Sequence, residues 1–182
     1  DDIVSLDPAE ANELSSIQTV PSLYQRVVQP DRNDPTKITP ILAESWQADP
    51  AAKTLTIKLK SDAKFASGNP VRPEDVIYSY VRAVTLNKSG AFILNVLGWQ
   101  PENIASQLKK IDDHTVQVQW SADVSPALAL NILSTPIASI VDEKLVAPNA
   151  KNNDFFSLQN RIITKWNVYC CLSGIGVIPR FI

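Results

Sequence analysis

His114 is the single histidine of the chain, and it stands directly after Asp112 and Asp113. An imidazole beside two carboxylates is the closest approach here to general acid–base or metal-binding chemistry, yet either role needs further groups converging from other parts of the fold. A solvated turn, Ile111-Asp112-Asp113-His114, accounts for the cluster more simply. Cys170 and Cys171 are the only two cysteines and are neighbours, so a disulfide between them is strained and two free thiols are the simpler reading. No zinc-type spacing can be drawn from this set. Glu74-Asp75 resembles a paired acid site, but it follows Pro73 at a helix start, where carboxylates offset the positive end of the helix dipole. No G-x-G-x-x-G and no phosphate-binding P-loop occurs.

The elements that must carry these residues are readable from pattern. Thr54 to Lys60 alternates, with Leu55, Ile57 and Leu59 on one face, which predicts a half-buried strand. Asp49-Pro50-Ala51-Ala52-Lys53 joins it to a short strand within Leu42 to Ala48, giving an antiparallel hairpin. Thr115 to Trp120 alternates in the same way. Pro73 to about Asn87 reads as a helix whose apolar face is Val76, Ile77, Tyr80, Val81 and Val84. Ser125-Pro126 caps a further short helix through Leu133. Near the start, Ile17, Val20, Leu23, Tyr24, Val27 and Val28 form a helical stripe. Because Pro21 lacks an N–H, the regular helix is expected to begin near Thr19. Gln29 to Pro40 reads as a loop. Asp1 to Asp7 reads as the end of a strand. Asp142 onward is helical in pattern. The expected class is mixed α and β, a partly antiparallel sheet with helices on one side.

Composition narrows function further. The chain has 182 residues, a formal charge of −2 and a hydrophobic content of 45%. That charge supplies no basic field for nucleic acid or for an anionic membrane. No apolar run approaches the roughly 20 residues needed to span a bilayer. The absence of Met and the start at Asp1-Asp2-Ile3 point to a processed or trimmed chain.

Several segments, in order, carry a family resemblance. They are Leu6-Asp7-Pro8, Leu42-Ala43-Glu44-Ser45-Trp46, the strand Thr54 to Lys60, Ala63-Lys64-Phe65-Ala66-Ser67-Gly68-Asn69-Pro70-Val71, Pro73-Glu74-Asp75-Val76-Ile77-Tyr78-Ser79-Tyr80, and Ile111 to Val116. Together they resemble the family 5 extracellular solute-binding proteins of ABC importers, the dipeptide, oligopeptide and nickel type. Ser67 and Arg72 depart from that pattern. The resemblance implies the N-terminal part of a two-lobe, periplasmic-binding-protein-like fold. Residues 1–36 would begin the first lobe, 37–139 would form its inserted subdomain, and 140–182 would hold a partial return segment and a divergent or out-of-frame tail. Trp46 and Phe65 are expected to anchor a core between hairpin and helix.

The same resemblance implies a function of holding rather than reacting. A peptide or similar small solute would be bound in a cleft and passed to membrane permease subunits on the periplasmic or extracellular face of the inner membrane. No enzyme activity, cofactor, metal or nucleic acid is implied, and the membrane is met only through the permease. By resemblance, Asn12, Ser15 and Ser16 follow the Leu6-Asp7-Pro8 turn toward the cleft, Trp99 offers an aromatic wall, and Ser134 and Thr135 end a helix at its edge. The bland alternatives are helix capping for the first three, a core tryptophan, and an ordinary loop. A fragment of this length is expected to bind weakly or not at all. Two other functions compete: a hydrolase using His114, and an interaction module presenting the apolar tail after Asp154.

Overall fold

The computed structural model describes residues 5–11 and 13–150. Helix α1 is Leu14–Leu23 and contains Pro21. It begins five residues earlier than Thr19, because the proline stands only two residues before the helix ends. The donor it lacks and the crowding it causes both fall on the single carbonyl of Ile17, four residues back, so the cost is one bond and not the whole helix. The described residues before Asp7 form no strand, and residues 1–4 lie outside the described set.

The Gln29–Pro40 segment is more ordered than a loop. Val28–Pro30 (β1) pairs antiparallel with Ile38–Pro40 (β2), with Gln29 opposite Thr39. Between them the Asp31 carboxylate accepts from the N–H groups of Asn33 (2.8 Å) and Asp34 (3.1 Å), a side-chain-built turn that closes the hairpin. The two strand prolines, Pro30 and Pro40, stand at strand ends in a two-stranded ribbon, where a missing donor costs little.

Ala43–Asp49 (β3) and Thr54–Leu59 (β4) form the expected hairpin, with Trp46 opposite Ile57. Leu108–Lys110 (β5), which the sequence pattern does not announce, and Thr115–Gln119 (β6) complete an antiparallel sheet of order β3-β4-β6-β5. Leu55, Ile57, Leu59, Val116 and Val118 turn one face inward. Against it lies Pro73–Leu86 (α2), burying Val76, Tyr80 and Val84 while Ile77 and Val81 sit at its edge. Asp75, in the first turn of α2, accepts from the Arg72 backbone N–H at 2.9 Å, so the acid acts as a helix-start clamp.

Phe92–Asn95 (α3), Ile104–Gln107 (α4), Pro126–Leu133 (α5) and Glu143–Val146 (α6) are shorter, and Pro136–Ala138 is a 3-10 turn. Ser125 caps α5 as expected, accepting from Leu128 N–H. The centre of the core is aromatic, but not through Trp46 and Phe65, which are half-buried at its margin. Trp99, Trp120 and Tyr80 fill it, with the Tyr80 and Trp99 rings 5.7 Å apart. Asp154–Ile182, with Trp166, Cys170 and Cys171, falls outside the described residues.

Candidate functional site

One end of the molecule reverses the usual placement of side chains. In α1 the buried positions are Ser16 and Val20, whereas Leu14 is 66% exposed and Ile17 also faces solvent. In α3, Phe92 is 63% exposed and Val96, just beyond the helix, is open as well. Leu128 of α5 adds another exposed apolar group. These elements are neighbours: α1 and α3 both pack on the Pro136–Ala138 turn, and α3 packs on α5. Gly90 explains the closeness. A Cβ at that position would lie 2.8 Å from Ile137 Cδ1 and 3.9 Å from the Ala11 carbonyl oxygen, so the start of α3 is pressed against both the turn and the approach to α1. Exposed leucine, isoleucine and phenylalanine thus stand on elements that meet at or beside the Pro136–Ala138 turn, and exposed apolar groups gathered on neighbouring elements are candidates for a binding surface, here called the apolar wall.

The residues singled out from sequence fall unevenly around this wall. Asn12 lies outside the described residues. Ser15 is half-buried, and its carbonyl accepts from the Thr19 hydroxyl at 2.7 Å. Ser16 is fully buried, and its hydroxyl has no hydrogen-bond partner among the described residues. Trp99 has no exposed surface, and its indole N–H donates to the Gln119 carbonyl at 2.8 Å, the arrangement of a core tryptophan. The exposed aromatic of that stretch is Phe92, and no local pattern in the sequence distinguishes it from the buried Trp99. Ser134 is buried and Thr135 half-buried; their hydroxyls donate to the Asn131 and Ile132 carbonyls, as residues ending a helix do.

Charged groups behind the wall are mostly paired. Asp7 accepts both terminal nitrogens of Arg82, 75 positions along the chain, and so ties the Leu6-Asp7-Pro8 turn to α2. Asp75 holds Arg72 and also accepts from the Glu143 N–H at 3.1 Å, which fastens α6 to the start of α2. Asp142 accepts from the Ser67 hydroxyl (2.6 Å) and the Asn69 amide (2.8 Å). Arg26 is buried, and burial pulls its guanidinium below the ordinary value. His114 is exposed in its turn, with its backbone N–H on the Asp112 carboxylate at 2.8 Å. Among the described residues no group of three or more His, Cys, Asp or Glu side chains gathers as a metal site would require.

The profile of the bacterial extracellular solute-binding proteins, family 5 Middle, matches residues 37–164. The chain belongs to this family. Among similar proteins, the periplasmic murein peptide-binding protein MppA of Escherichia coli is 36% identical over 84 residues, which are 46% of this chain and 15% of that protein. The probable D,D-dipeptide-binding periplasmic protein DdpA of the same organism is 29% identical over 152 residues, 82% of this chain and 28% of that protein. The crystal structure of Haemophilus influenzae OppA in complex with the peptide RPPGFSPFR superposes with a TM-score of 0.70 at 25% identity, covering 81% of this chain and 30% of that one. This chain therefore spans less than a third of the length of the solute-binding proteins it matches. The fold is that of part of a two-lobe periplasmic binding protein, and family members are binding proteins rather than enzymes.

Proposed function

We propose that this chain contributes one wall of the solute cleft in the binding component of an ABC importer, and that the solute is a peptide or a similar small molecule. The observation that carries the reading is the apolar row of Leu14, Ile17, Phe92, Val96 and Leu128, exposed on a fold whose relatives bind peptides. The mechanism is capture without chemistry. Apolar side chains cover part of the solute, backbone groups of the opposing lobe satisfy its polar atoms, and closure of the two walls presents the loaded form to permease subunits. The setting is the periplasmic or extracellular face of the inner membrane. Among the described residues no helix is long and apolar enough to cross a membrane.

With a single wall, affinity is low, because a solute left half in water loses little apolar surface. Calorimetric titration of the 182-residue chain with RPPGFSPFR tests this. The expected result is weak binding, Kd on the order of 100 μM or weaker, that disappears in Phe92→Ala/Leu14→Ser. Nanomolar binding by this chain, or weak binding that survives both substitutions, overturns the reading. The competing hydrolase depends on His114, which is exposed in its turn beside Asp112 and Asp113.

A further inference from the structure

Helix α2 carries apolar side chains on more of its circumference than the core covers. Val76, Tyr80 and Val84 are buried, while Ile77, Val81 and Leu86 are only partly buried beside them. With Tyr78 these three line an open groove of about 500 Å³, rimmed by Glu74 and Glu143. Both rim carboxylates already hold a cation: Glu74 accepts from Lys110 at 2.8 Å, and Glu143 accepts from Arg72 at 3.3 Å. The groove therefore suits an apolar occupant, since a helix with a second apolar stripe gains from having it covered. Tyr78 also belongs to a small cluster with the buried Val141 and Val146, so an occupant would join that cluster to the main core.

The chain itself brings such an occupant close. α6 packs on α2, and the 3-10 turn Ala147–Asn149 leads from α6 to Ala150, the last described residue. From Glu143 on the rim to Ala150 the helical rise is roughly 12 Å, whereas the five residues from Ala150 to Phe155 reach about 17 Å when extended, so the chain is long enough to return to the groove. Phe155, Phe156 and Leu158 put three apolar residues within four positions. The family profile runs on to residue 164, so this stretch lies in the matched part of the chain. We propose that Phe155 and Phe156 dock in the α2 groove and cover Ile77, Val81 and Leu86. The start of the apolar tail is then taken up within its own chain and is not offered to a partner. The groove shares no residue with the apolar wall, so the two surfaces take different occupants.

The full 182-residue chain tests this with two measurements. Thr85 is exposed at the groove, and a nitroxide is attached there in Thr85→Cys/Cys170→Ser/Cys171→Ser. The expected result is that the backbone amide signals of residues 155–158 are broadened by the nitroxide and recover when it is reduced. They are untouched when nitroxide and isotope label sit on different molecules. Urea unfolding is then measured for Val81→Ala, for Phe155→Ala/Phe156→Ala and for the combination. The expected result is a coupling of about threefold or more in the folding equilibrium constant, the combined loss being smaller than the product of the separate ones. No broadening at residues 155–158, or losses that simply multiply, overturns the proposal. Broadening in the mixed sample assigns the groove to a second copy of the chain and overturns it as well. Neither measurement contains a solute, so the peptide reading stands or falls separately.

Discussion

Tyr24 lies close to the Asp7–Arg82 pair, and burial first, then the Asp7 charge, pushes its phenol from the ordinary 10.0 up to about 12, against a smaller opposing pull from Arg82. A raised value means that the folded state favours the neutral phenol. Its contribution to stability is complete below pH 10 and is lost as pH rises through 12. Urea midpoints measured across that window should fall more steeply for the wild type than for Tyr24→Phe; parallel slopes would contradict the assignment. Single residues were the least legible part of the sequence. The pattern at Val116, Val118 and Trp120 announces its own burial because a strand has two faces and alternation separates them. Trp99 and Phe92 lie in an irregular stretch with no period to separate inside from outside, so nothing local says which of them packs. Ser16 and Leu14 exchange their ordinary roles, and only the tertiary neighbours of α1 decide that.

At the scale of elements, the two alternating strands, the acid-led helix α2 and the capped helix α5 were all legible, since each has a regular period or a specific start signal. The β1–β2 hairpin was hidden by its prolines, which read as loop residues unless their place at strand ends is known. β5 is only three residues long, too short for alternation to register, and exists because β6 offers it an edge. The connection that delivers β6 to the helices is set by Gly98. Its φ is +79°, and a Cβ there would lie 2.2 Å from Ser121 Oγ and 3.0 Å from the Ala122 backbone nitrogen. Gly98→Ala should therefore destabilise by about 1–2 kcal/mol from the backbone conformation plus the clash. Adding Ser121→Ala should return only the part due to the hydroxyl. Gly68, at φ +87° with open space around it, gives the reference: Gly68→Ala should show the backbone cost without the clash. Equal losses at the two glycines in urea unfolding would argue against the close approach.

For the whole molecule, the sheet and α2 make the base, while α1 and α3 both pack on the Pro136–Ala138 turn, α5 packs on α3, and each of the three carries exposed apolar groups. The base was legible because it repeats; the wall was not, because it is assembled from separate short elements by the Pro136–Ala138 turn and the space at Gly90. That wall is the substance of the functional claim, and the two-dimensional NMR spectrum of the labelled 182-residue chain tests it most directly. Titrated with millimolar RPPGFSPFR, the account predicts shifts gathered at Leu14, Ile17, Phe92, Val96 and Leu128. Shifts gathered instead along α2 at Ile77, Val81 and Leu86, or none at any concentration reached, would contradict it.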